Sequence, residues 1–283
     1  MLILILFCHF PALLARDQVH VITSFLPAYC FTCAIAGDAA RVENLVSSSV
    51  EPHDYQLSPG DLRRLQTADL IVVNGLGLEP WLEKVEAAVS GRKKIATLSD
   101  RIGSELLIAA SGDEINPHIW LDPALVAISA TNILSALVTL DPLNSQIYAH
   151  NANAFIQRLH DLDQTIKSLL QPFRGKTFVT YHDAFPYFAR HYELNLVGVV
   201  EQVAEVPPSA RELTKLFNVI RREKVRAIFT EPLDPPRLAR QIAEDAGIAL
   251  GVLDTIETGP IDSSAYEKAM LQNAAALASL LSK

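Results

Sequence analysis

The sequence predicts an α/β protein of two similar lobes, each a mainly parallel sheet flanked by helices, joined by one long rigid backbone helix. Three observations carry this reading. Apolar strand-like runs alternate with helical segments of about ten residues on both sides of the midpoint, the pattern of parallel strands with helical crossovers. The stretch 143–170 holds no Gly or Pro, and its apolar positions Tyr148, Ala152, Phe155, Leu159, Leu162, Ile166 and Leu169 step by 4, 3, 4, 3, 4, 3, the stripe of one helix face. A chain of 283 residues also has room for two cores.

The elements follow in order. The first half reads as strand 19–24, helix 26–35, strand 42–46, a loop through Glu51-Pro52-His53-Asp54-Tyr55, helix 59–67, strand 70–73, helix 80–89 and strand 94–98. The loop 109–117 leads to His118-Ile119-Trp120-Leu121-Asp122-Pro123 and a helix to residue 140. Asp141-Pro142 opens the long helix, with Pro suited to a first turn, and Pro172 stops it. At about 1.5 Å per residue it is roughly 40 Å long, more than one small lobe needs. The second half repeats the pattern: strand 177–181, helix 184–191, strand 196–200, helix 209–222, strand 227–230, helix 236–246, strand 248–253 and a closing helix 263–281. The expected divisions are a leader 1–15, a first lobe 16–140, the backbone helix 141–171 and a second lobe 172–283.

Composition narrows the function. With 49% apolar and 20% charged residues the chain is that of a folded globular protein, and a net charge of −8 argues against a nucleic-acid partner. Residues 1–15 are nearly all apolar, carry no charge and fall short of the roughly 20 residues that span a bilayer. Leu13-Leu14-Ala15 offers a small residue at a cleavage point, so a secretory signal is expected, although a positive n-region is missing. Phe7 before Cys8 argues against a lipid-anchor cysteine. Cys30 and Cys33 lie in an apolar helical stretch and read first as buried small residues, then as a strained disulfide. G-x-G-x-x-G, P-loop, G-x-S-x-G and H-E-x-x-H motifs are all absent from the sequence.

In open parallel sheets ligands bind beyond the carboxyl ends of strands. His53, His118, His182, Glu231 and Asp254 sit at such ends or in the loops that follow. Imidazoles with one carboxylate form a first-row metal set, and three histidines favour zinc over oxygen-preferring ions. Each residue also has a plainer reading: His53 and His182 precede Asp in turns, His118 packs in a loop, Asp254 caps a turn, and Glu231 is a nearby acceptor or cleft wall. His9 falls in the leader, and His20, His150, His160 and His191 read as ordinary surface or boundary residues.

Several motifs stand in a fixed order: Gly37-Asp38, Glu51 to Tyr55, Ala68-Asp-Leu-Ile-Val-Val-Asn-Gly-Leu-Gly-Leu-Glu-Pro-Trp81, Pro117-His-Ile-Trp-Leu-Asp-Pro123, Tyr181-His-Asp-Ala-Phe-Pro-Tyr-Phe188 and Ala227-Ile-Phe-Thr-Glu-Pro232. In this order the chain resembles the zinc and manganese solute-binding proteins of bacterial ABC importers, from about residue 19 to the C-terminus. The resemblance implies two α/β lobes on one rigid helix and a metal ion in the cleft, with His53, His118 and His182 as ligands and Asp254 at the place of the last-lobe aspartate. His182 stands where manganese-type members carry Glu, which points to the zinc branch. The chain departs from the pattern in a short loop 109–117, in Thr255 where Pro is usual, and in the Cys30/Cys33 pair. The function this implies is a periplasmic or extracytoplasmic, monomeric, non-enzymatic protein that binds Zn2+ as cargo and delivers it to a membrane permease. The alternatives are selectivity for Mn2+ or Fe2+ and, from another class, a mononuclear zinc hydrolase with Asp254 or Glu231 as base.

Overall fold

Two four-stranded sheets with the same strand order organise the structure, a computed structural model that describes residues 18–47, 49–89, 94–110, 114–201, 208–232 and 237–282. The expected leader, with Cys8 and His9, lies outside the described residues. The first sheet contains β1 (Val19–Thr23), β2 (Ala40–Asn44), β3 (Leu70–Val73) and β4 (Lys94–Thr97) in the order β2-β1-β3-β4. The second contains β5 (Thr177–His182), β6 (Asn195–Glu201), β7 (Ala227–Thr230) and β8 (Ala249–Val252) in the order β6-β5-β7-β8. Every pairing is parallel. The strand order reverses beside β1 and beside β5, and that is where a doubly wound sheet opens a crevice at its carboxyl edge.

The crossovers are α1 (Leu26–Ala36), α2 (Pro59–Thr67) and α3 (Leu82–Val89) in the first lobe, with α4 (Pro123–Leu140) after β4. In the second they are α6 (Pro186–His191), α7 (Ala210–Arg222) and α8 (Arg237–Ala246), with α9 (Ala265–Leu281) after β8 and α5 (Ser145–Leu170) between the lobes. Helix starts follow local chemistry. Ser58 with Asp61, and Ser209 with Glu212, form reciprocal capping boxes at α2 and α7. The last helix starts at Ala265, two residues later than the sequence predicts, because Asp262 Oδ1 draws the Ser264 N–H into a turn. The second strand lies two residues earlier than predicted, since pairing with β1 sets its register from Val19 opposite Ala40.

Helix α5 runs 26 residues and buries Tyr148, Ala152, Phe155, Leu159, Leu162, Ile166 and Leu170. The predicted stripe is corrected at its end: Leu169 is 39% exposed and Leu170 takes its place, because a final step of four keeps the drifting face turned inward. Against this face pack α1 and α4 of the first lobe and α9 of the second. A single apolar core therefore runs from Val21 and Phe31 through Phe155 and Leu162 to Phe178, Phe188 and Met270. Smaller clusters cover the outer sheet faces, around Ile71 and Trp81 in one lobe and Ile228 and Ile242 in the other. Helix α4 is long and apolar enough by composition to cross a membrane, and here it uses that character to pack on α5 and β4. Cys30 and Cys33 are free thiols, the first buried and the second half-buried.

Phe155 sits at the centre of this core, tilted 5.7 Å from the ring of Phe31. Its truncation to Ala should cost about 3–5 kcal/mol in chemical denaturation. A loss below about 1 kcal/mol would contradict a single core shared by both lobes.

Candidate metal centre

The loops at the facing carboxyl edges of the two sheets bring three imidazoles together. His53 lies in the helical turn Pro52–Asp54 after β2, His118 opens the turn Ile119–Leu121 before α4, and His182 ends β5. His53 Nε2 is 3.3 Å from His118 Nε2, which is 3.1 Å from His182 Nε2. Two ligands at zinc–nitrogen distances of 2.0–2.1 Å on a tetrahedral ion lie about 3.3 Å apart, and both separations from His118 match that edge.

A buried carboxylate that the sequence did not single out lies beside two of these imidazoles. Glu257 is 2% exposed, and Oε1 lies 3.3 Å from His53 Nε2 and 3.7 Å from His118 Nε2. Neither carboxylate oxygen has a well-directed hydrogen-bond donor among the described residues. An unsatisfied buried carboxylate is costly, and a cation is what such a group requires. Burial pushes the Glu257 carboxyl up, but His53, His118 and His182 outweigh it and hold the group down at about 2. Asp254 is placed otherwise: its Oδ1 accepts the Ile256 N–H at 2.7 Å, and its backbone is paired with Asn273. It closes the turn that presents Glu257. The signal for Glu257 was an acid three residues after Asp254 in a loop at the end of β8.

Polar contacts behind the imidazoles fix their orientation. Asn116 Oδ1 accepts the His118 backbone N–H at 3.0 Å and lies 2.9 Å from His118 Nδ1, while its Nδ2 donates to Asp183 O at 2.7 Å. The amide is thus oriented by a carbonyl partner, Nδ1 carries the His118 proton, and the Nε2 lone pair points into the site. Glu231, anticipated as a nearby acceptor, places Oε1 3.4 Å from His182 Nδ1 and performs the same service there. Burial holds His118 well below the usual histidine range, so it stays neutral. His182 behaves oppositely: burial pulls it down, yet its hydrogen bond to the Glu231 carboxylate and the charges of Glu257, Glu231 and Glu51 raise it to about 9. Glu51, also missed from sequence, is grouped with His182 and Glu231 and is pushed up to about 7 by burial and by repulsion from Glu231 and Glu257.

The loop bearing His118 is anchored from both lobes. Asn74 Nδ2 donates to Pro117 O at 2.9 Å. Buried Glu79 fixes Asn74 in turn, accepting the N–H of Asn74 and of Gly75 and the hydroxyl of Ser24. Gly75 has φ +79°, and a Cβ there would strike Thr97 and Ser99, so only glycine makes this turn. From the second lobe, Thr255 O accepts the Trp120 indole N–H at 2.7 Å and the Tyr266 hydroxyl donates to Trp120 O at 2.8 Å.

Two other expectations change. His20 faces Glu43 at 3.3 Å, and His191, read as a boundary residue, lies between two aspartates. His150 and His160 are exposed, as expected.

Two parallel α/β lobes on one helix, with three imidazoles and a buried carboxylate converging between them, define a metal-binding protein of the cleft type. The chain belongs to the family described as zinc-uptake complex component A, periplasmic, whose model matches residues 21–280. It is similar to the high-affinity zinc uptake system protein ZnuA of Bacillus subtilis, at 32% identity over 254 residues, covering 85% of this chain and 79% of that protein. The crystal structure of Zn(II)-bound AdcA from Streptococcus pneumoniae superposes with a TM-score of 0.81 at 28% identity, over 94% of this chain but 58% of that one. FpvC of Pseudomonas aeruginosa in complex with Mn2+ superposes with a TM-score of 0.86 at 26% identity, covering 94% and 99% of the two chains.

Replacing Asn116 by Ala should leave the fold intact by circular dichroism and weaken zinc binding by about 10–100-fold in chelator competition. An unchanged affinity would remove Asn116 from the control of His118.

Proposed function

We propose that this chain captures Zn2+ outside the cytoplasm through His53, His118, His182 and Glu257, and delivers it as a monomer to the membrane permease of an ABC importer. The observation that carries the reading is the buried, unsatisfied Glu257 carboxylate beside a cluster of three imidazoles in which both separations from His118 match the edge of a zinc tetrahedron. Asp254 is not assigned as a ligand, because its carboxylate serves the turn. Three imidazoles and one carboxylate favour zinc over manganese, which prefers more oxygen donors. Four protein ligands also close the zinc shell, whereas a catalytic zinc keeps one position for water. The donor set therefore suits carriage better than hydrolysis. The kinship with a zinc-uptake family supports the same cargo and a permease partner. The core shared through α5 favours release by small rotations rather than by wide hinge opening.

Glu257→Gln should weaken zinc binding by at least about tenfold, while Asp254→Asn, which keeps an oxygen for the Ile256 N–H, should change it little. Competitive titration of metal-stripped protein with zinc and manganese reads both. The reverse ranking would return the fourth position to Asp254, and a preference for manganese would reject the zinc assignment.

Proton linkage gives a second test. His182 is raised to about 9 in the metal-free protein, so at neutral pH zinc must displace its proton. Affinity should fall about tenfold for each pH unit below that value. Titration calorimetry in buffers of different ionisation enthalpy should find about one proton released per zinc near pH 7. Release of none would mean that His182 is neutral before the metal arrives.

A further inference from the structure

Outside the metal centre, one histidine is held by carboxylates on both of its ring nitrogens. His191, the last residue of α6, places Nδ1 3.0 Å from Asp122 Oδ1 and Nε2 2.7 Å from Asp163 Oδ1. Its side chain is 13% exposed, that of Asp122 6% and that of Asp163 13%. Carboxylates that accept from both nitrogens require both to be protonated, so this is an imidazolium.

The three residues come from the three parts of the molecule that set the distance between the ligand loops. Asp122 caps α4, where its Oδ1 also accepts the Ala124 N–H, and it lies four residues beyond His118. Asp163 projects from the C-terminal third of α5. Helix α6 begins four residues after His182 and carries Tyr187, whose hydroxyl donates to Asn116 O. We propose that His191, as an imidazolium between Asp122 and Asp163, is an ionic tie that holds the His182 side of the cleft against the His118 side and thereby strengthens metal retention. The inference rests on the reading of His53, His118 and His182 as the metal site.

The surroundings favour the charged form. Asp163 Oδ2 also accepts from Lys167 Nζ at 2.7 Å, one turn further along α5. Tyr192 stacks edge-on 4.8 Å from the His191 ring, and its phenol is pushed up by burial and by Asp163 and Asp122. Tyr187 on α6 and Tyr266 on α9 also face Asp122 and are raised, chiefly by burial, so all three phenols stay neutral. Arg174 and Glu193, which pair with each other, complete the outer wall. Burial lowers His191, but the hydrogen bonds and charges of Asp122 and Asp163 raise it further, leaving it above its ordinary value. A raised histidine contributes fully below its unfolded value and loses its contribution as pH rises through the folded one. The tie therefore weakens on the alkaline side, opposite in sign to proton competition at the ligands.

The test is zinc affinity by chelator competition between about pH 6 and 9 for the wild type, His191→Gln, Asp163→Asn and His118→Ala, with folding checked by thermal unfolding. His191→Gln should bind zinc about fivefold or more weakly near neutral pH, and the deficit should shrink as pH rises and the wild type loses its own imidazolium. Asp163→Asn alters the tie from α5 and leaves the sequence of α6 unchanged, and it should weaken binding in the same direction, with less than additive loss in the double variant. Long-range nitrogen–proton NMR of the metal-free protein should find both His191 nitrogens protonated at neutral pH. If His118→Ala abolishes binding while His191→Gln and Asp163→Asn bind as the wild type does, the tie is rejected and the metal site stands. If His118→Ala still binds zinc normally, the metal assignment fails and the tie with it.

Discussion

Burial of one face of α5 against both lobes is the constraint on which the rest depends. Each fully buried large aliphatic or aromatic side chain contributes about 1.5–3 kcal/mol, and the stripe from Tyr148 to Leu170 provides six of that size. Because α1 and α4 pack on one part of this stripe and α9 on another, the lobes share a core instead of meeting at a polar interface. Their carboxyl edges are held at a fixed separation. Only with that separation fixed can imidazoles from three distant loops meet within about the edge of one coordination polyhedron.

The same rigidity accounts for a site that is costly in itself. The centre gathers a fully buried imidazole, a fully buried carboxylate and two further acids, Glu51 and Glu231, beside His182. Left to relax, such groups would turn to water. Asn116, Asn74, Glu79 and Trp120 prevent this by tying the His118 loop to both lobes through buried hydrogen bonds. Strength in the frame offsets strain in the centre, the usual division between scaffold and site.

Much of this was legible in the sequence, for reasons particular to each element. The 4-3 spacing through α5 marked the helix because an apolar stripe has one period, while its last residue needed the structure, since Leu169 and Leu170 are equally apolar. Strand-end placement singled out His53, His118 and His182, whose chemistry is scarce enough to stand out against turn residues. Glu257 is hard to single out because acids are common in surface loops, and its place three residues after Asp254 does not by itself mark it as buried. Asp254 stands at the strand end, and the structure adds that one of its carboxylate oxygens, Oδ1, accepts the Ile256 N–H. His191 was passed over for the same reason as Glu257: its partners, Asp122 and Asp163, are 69 and 28 residues away.

The uneven exposure of the four proposed donor side chains gives the centre a direction. His53 and His182 are 20% and 16% exposed, His118 3% and Glu257 0%. A water molecule or an incoming donor group can therefore approach a bound ion only from the side of His53 and His182. In the proposed site, bonds on that side would be the first to exchange and the bond to His118 the last, so metal transfer would run as an ordered set of ligand substitutions from one open face.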